Sequence, residues 1–130
     1  MLGEPGVFSL WANAAEGRVE LGGSASAVSA TLHARLPDPP APELGALWTP
    51  QDAARASLRA VLWRTTGAGR VAVAEWKDFG ATVSLSAPGP GRYSLEVWLT
   101  PLHLEAALGK ASSLAGSEYR WILTNAITLH

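Results

Sequence analysis

The stretch Gly91-Arg92-Tyr93-Ser94-Leu95-Glu96-Val97-Trp98-Leu99-Thr100 decides the fold class of this chain. Tyr93, Leu95, Val97 and Leu99 alternate with Ser94, Glu96, Trp98 and Thr100. A β-strand sends successive side chains to opposite faces, so this period of two predicts a strand with one buried face and one outer face. The run Pro88-Gly89-Pro90-Gly91 before it is turn chemistry. A second clear alternation sets Val28, Ala30, Leu32, Ala34 and Leu36 against Ser29, Thr31, His33 and Arg35. Weaker versions cover 7–12, 18–21, 58–65, 71–76, 81–87 and 121–129. Gly22-Gly23-Ser24, Gly67-Ala68-Gly69 and Lys77-Asp78-Phe79-Gly80 punctuate them. Short strands at this spacing predict an all-β fold, an antiparallel immunoglobulin-like β-sandwich of about seven or eight strands.

Two segments break the rhythm. Residues 37–42 hold four prolines, which cannot donate to a ladder, so an extended surface connection is expected there. One short helical turn is expected between it and Arg55. From Pro101 to Gly116, Leu104, Ala107, Leu108, Ala111, Leu114 and Ala115 fall near helical spacing. This predicts one short helix near 102–115 that covers a sheet or caps one end. Neither side of the proline run has enough strands to close a core alone, so residues 1–130 read as a single domain.

Composition narrows the function. Ten Lys and Arg are scattered among eleven acids, for a net charge of −1. No basic stripe is available for nucleic acid or for an anionic membrane surface. No apolar run reaches the ~18–20 residues that span a bilayer. Cysteine is absent, which excludes disulfides, thiolate catalysis and Cys-based zinc sites. With no signal peptide visible after Met1, a cytoplasmic location is expected.

Candidate chemistry is sparse. His33, His103 and His130 have no second histidine or carboxylate pair at ligand spacing, and a zinc site needs three or four converging ligands. The pairs Gly67/Gly69 and Gly89/Gly91 lead into no Lys-Ser/Thr helix and read as turns rather than phosphate cradles. No Gly-x-Ser-x-Gly elbow is present. Glu75 and Glu96 occupy strands that face solvent or a groove, and a glycosidase pair would require ~5–10 Å between them. Solvated strand faces explain them as well. No catalytic residue, metal ligand or cofactor follows.

Six tryptophans are the informative excess. Trp121 opens an apolar strand and suits a core. Trp98 shares the outer face of its strand with Ser94 and Glu96, and Trp11 shares a face with Ser9. The 101–116 segment, a neighbouring domain or another subunit would cover them. Alternatively, Trp11, Trp63 and Trp98 would form an aromatic platform for sugars.

The run Gly91–Trp98, together with Tyr119-Arg120-Trp121-Ile122-Leu123-Thr124-Asn125-Ala126-Ile127, resembles the C-terminal tail of PHP-domain metallohydrolases, the polymerase and histidinol phosphatase superfamily. Many of these end in a β-sandwich after a metal-binding barrel. Gly6-Val7-Phe8-Ser9-Leu10 and Leu21-Gly22 are similar to the start of that sandwich. Ala126 stands where the family usually has proline, and Thr128 where it often has an aromatic residue. The barrel's His-x-His ligands have no counterpart, so only the structural positions Tyr93, Glu96, Trp121 and Asn125 carry over. The resemblance implies a non-catalytic accessory domain that docks on a catalytic domain or partner protein through an outer sheet face. A homo-oligomer would bury the same face. The alternative is a free-standing carbohydrate- or ligand-binding sandwich. A third reading is an enzyme that uses Glu75 and Glu96. Glu96 is expected to pair with Arg92, Arg120 or another exposed arginine, and the Asn125 amide to fix a bend in the last strand.

Overall fold

The structure, a computed structural model, describes residues 8–15, 17–38, 57–100, 114 and 116–130. Among the described residues ten strands follow in chain order: β1 (Ser9–Ala14), β2 (Gly17–Val19), β3 (Ser24–Ala25), β4 (Thr31–Arg35), β5 (Ser57–Thr66), β6 (Gly69–Trp76), β7 (Thr82–Ser86), β8 (Gly91–Thr100), β9 (Tyr119–Leu123) and β10 (Ile127–Leu129). They form two sheets. The smaller has the order β2-β1-β4-β7, and the larger β3-β10-β8-β5-β6, with β9 also paired to β8. All pairings are antiparallel except β3 with β10. The all-β sandwich expected from the alternation is therefore present.

One cluster of buried side chains joins the sheets. Leu10, Ala12, Leu32 and Ala34 come from the smaller sheet, and Leu58, Leu62, Tyr93, Leu95, Val97 and Ile127 from the larger. The inner stripe of β8 is fully buried, as its pattern demands. Removing such apolar surface from water contributes about 25 cal/mol per Å² and drives the sheets together. Trp76 and Trp121 pack half-buried against this cluster. The Tyr93 hydroxyl donates to the carbonyls of Pro88 and Gly89 (2.8 Å for the latter), so its one polar atom is satisfied inside the core. This bond ties the Pro-Gly turn to the strand that follows it, in the manner of the tyrosine corner of sandwich folds.

Several boundaries differ from the sequence reading. Val28 is 75 % exposed rather than part of a buried stripe. Ser29 adopts a left-handed backbone (φ 62°), which ends the alternation one residue before Ala30 turns inward. The stretch 121–129 is two strands, because β8 is long enough to take β9 along its C-terminal half and β10 along its N-terminal half. Thr124 makes the switch. Its N–H donates to the Leu95 carbonyl (3.0 Å), and its hydroxyl accepts from the Leu95 N–H (2.9 Å). Asn125 thus stands in the connection between two strands, not inside one. Pro37, expected on a surface connection, is buried, and its carbonyl accepts from the Gly80 N–H at 2.8 Å. The rest of the proline run, the turn before Arg55 and nearly all of the helix expected near 102–115 lie outside the described residues. No helix among the described residues is long and apolar enough to cross a membrane.

Candidate binding face on the larger sheet

The outer face of β8 carries Arg92, Ser94, Glu96 and Trp98, because its other face is committed to the core. Strand pairing sets the neighbours. On β5, Thr65 lies opposite Arg92, Trp63 opposite Ser94, Val61 opposite Glu96 and Arg59 opposite Trp98. On β6, Arg70 lies opposite Thr65. On β9, Arg120 lies opposite Trp98 and Leu123 opposite Glu96. Side chains from four strands therefore converge around one carboxylate.

That carboxylate is buried, contrary to the solvated face the sequence suggested for it: Glu96 is 5 % exposed. Val61 beside it is buried as well. A buried carboxylate is stable only if its oxygens find donors. The indole N–H groups of Trp98 and Trp63 both donate to Oε1, at 2.9 and 3.1 Å. Arg120 reaches Oε2 at 3.4 Å, and Arg70 lies 3.7 Å from Oε1. Burial alone pushes the Glu96 carboxyl upward. The indole donors of Trp98 and Trp63, with Arg120 and Arg70, outweigh it and hold the group below its ordinary value, hence ionised at neutral pH.

The network continues outward on both sides. The Arg70 guanidinium sits 3.9 Å from the centre of the Trp63 ring. Arg59 lies 5.7 Å from that of Trp98 and is itself gripped in fork fashion by Glu118, at 2.9 and 2.6 Å. The hydrogen bond to Arg59 lowers the Glu118 carboxyl below its ordinary value. Glu118, Arg59, Trp98, Glu96, Trp63 and Arg70 thus form one continuous chain of contacts across the sheet.

Beside this chain a pocket of about 400 Å³ opens on the surface. Its floor is Arg92, Ser94 and Glu96 of β8. Thr65 and Arg70 form one wall, and Arg120 with residues 123–126 the other. Among the described residues, the pocket opens where β9 stops at Leu123 and β10 starts at Ile127, which leaves the outer face of β8 open between them.

The structure brings Trp63, Trp98 and Glu96 together and leaves Trp11 apart. Trp11 lies on the outer face of the smaller sheet. His33 from β4 stacks on it at 5.4 Å, and Arg18 from β2 approaches to 4.5 Å. The three tryptophans therefore do not make one platform. Glu75 is exposed, two strands from Glu96 across Val61. His33 also lies within 3.2 Å of the Asn13 amide. His130 is exposed at the end of the chain, and His103 lies outside the described residues. Among the described residues no three His, Asp or Glu gather in a way that would hold a metal.

Of the arginines expected beside Glu96, Arg120 and the exposed Arg70 reach it, whereas Arg92 forms no ion pair with it among the described residues. The contributions of Thr65 and Thr124 were not legible. Their only signal was an outward or connecting position on strands whose register the sequence does not give. Set against known proteins, the chain matches no protein-family model, no curated protein and no solved structure.

Proposed function

We propose that this domain is a non-catalytic accessory module that docks on a catalytic domain or partner protein through the outer face of its larger sheet. The partner class is the one implied by the resemblance of its closing strands, a PHP-type metal-dependent phosphoesterase in the cytoplasm. The observation that carries the docking reading is the anchoring of two half-buried indoles by one buried carboxylate. Trp and Arg are the residue types that most often dominate binding energy at protein interfaces. Here Trp63, Trp98 and Arg59 are already held in place, so little side-chain freedom is lost on association.

The same geometry weighs against stacking on sugars. A sugar platform needs bare ring faces. Arg70 occupies one face of Trp63, and Arg59 lies over Trp98. Trp11 carries partners from the strands on either side of it.

Two steps test the proposal. The coding sequence joined to or beside that of this chain is read first, and it should specify a His- and Asp-rich hydrolase. That hydrolase is then co-expressed with the chain. Wild type should co-purify with it, Trp98→Ala should not, and Trp11→Ala should behave as wild type. An unrelated neighbouring gene, or equal co-purification of all three, counts against it.

A further inference from the structure

The pocket beside Glu96 has a charge that docking by the tryptophans does not use. Three guanidiniums, from Arg70, Arg92 and Arg120, face a single carboxylate, so its lining carries a net charge of about +2 at neutral pH. Arg70 and Arg120 lean toward Glu96 at 3.7 and 3.4 Å, distances too long for strong charge-assisted bonds. Their side chains remain about half exposed. Arg92 has no ion pair or side-chain hydrogen bond among the described residues. Donors therefore exceed acceptors in a concave site, and the deficit is one of negative charge.

We propose that this pocket binds a small phosphate monoester of a polyhydroxy compound, such as a sugar phosphate. The phosphate fits for three reasons. Guanidinium forks match its oxygens bidentately. The Thr65 and Ser94 hydroxyls stand beside Arg92 as further donors. A terminal phosphate presents three oxygens where a carboxylate presents two, which suits a site with donors on several sides. The polyhydroxy part fits the other end. Among the described residues, Glu96 Oε2 receives only the long contact from Arg120, whereas Oε1 already holds both indoles. Oε2 thus retains acceptor capacity for a ligand hydroxyl, and the Asn125 amide lies in the same wall. The volume of about 400 Å³ exceeds that of a lone phosphate ion and falls within the range of small-molecule sites.

The proposal goes beyond docking and does not rest on it, since Arg92 lies outside the Trp98–Arg59 end of the face. Binding is measured by calorimetry and tryptophan emission, with glucose 6-phosphate, ribose 5-phosphate and glycerol 3-phosphate as probes. Inorganic phosphate, glucose and glucuronate serve as comparisons. At least one phosphate ester should saturate the wild type at or below ~1 mM. It should bind more tightly than any comparison compound, and more weakly as salt is raised. Arg92→Gln should weaken it tenfold or more with an unchanged melting temperature, because Arg92 is exposed and has no ion pair or side-chain hydrogen bond among the described residues. No saturation by any of the three esters overturns the proposal. Equal binding of inorganic phosphate or glucuronate overturns the ligand class. Undiminished binding by Arg92→Gln removes the pocket from consideration.

Discussion

Replacement of Glu96 by alanine tests whether this carboxylate holds the outer face together. The substitution removes an acceptor shared by the Trp63 and Trp98 indoles. A donor left unsatisfied away from water costs ~1–3 kcal/mol. Both indoles are half-buried, so water partly reaches them and the lower end applies, ~1 kcal/mol each. The long pairs with the half-exposed Arg70 and Arg120 add at most ~1 kcal/mol together. The expected loss is about 2–3 kcal/mol, or roughly 6–15 °C in melting temperature for a domain of this size. Glu96→Gln keeps an amide oxygen for the indoles and loses only the charge, so about 1 kcal/mol is expected. Urea unfolding followed by circular dichroism, with tryptophan emission alongside, measures both. A Glu96→Ala protein within ~0.5 kcal/mol of wild type would show that this carboxylate does not hold the indoles in place, as would a glutamine variant no better than alanine.

Other outcomes follow from the same geometry. Glu96 and Glu118 are both held below the ordinary carboxylate value in the folded state. The unfolded chain therefore binds protons first as pH falls. Their stabilisation is complete above about pH 4.5 and is lost as pH drops through the lower folded values. Acid unfolding curves should show a steeper loss below pH 4.5 in wild type than in Glu96→Gln. Tyr93→Phe leaves the Pro88 and Gly89 carbonyls without their buried donor and should cost about 1–2 kcal/mol in urea unfolding. Gly91 has φ 152°, and a Cβ there would stand 2.9 Å from Arg64 Cγ, so Gly91→Ala should destabilise by about 1–3 kcal/mol in a thermal melt. Ala87 holds a left-handed backbone (φ 49°) that glycine adopts freely, and Ala87→Gly should raise the melting temperature slightly, by about 1 kcal/mol or less in stability.

The clearest strands, β4 and β8, were legible because one face of each is committed to the core. The alternation over 91–100 placed Tyr93, Leu95, Val97 and Leu99 inward, and all four are fully buried. Alternation failed where backbone geometry intervened without a glycine to announce it, as at Ser29. The division of 121–129 was hidden for a different reason. Nothing local marks Thr124 as a residue whose hydroxyl substitutes for a ladder partner; that role appears only once Leu95 is beside it. The burial of Glu96 was illegible on the same grounds. Its position on the outer face is a matter of period, but its burial depends on Trp63, thirty-three residues earlier in the chain. Trp98 lies two residues away on the same strand face, so only half of the indole pair was visible locally. The separation of Trp11 from the other two outer tryptophans likewise required knowing which strands share a sheet.

The tryptophan indole N–H signals test most directly the proposal that recognition belongs to the outer face of the larger sheet. In a ¹H–¹⁵N spectrum of the labelled chain titrated with the co-expressed hydrolase, the Trp63 and Trp98 signals should shift or broaden. The Trp11 signal, on the opposite side of the sandwich, should stay where it is. Movement of Trp11 with Trp63 and Trp98 unmoved would place recognition on the smaller sheet instead.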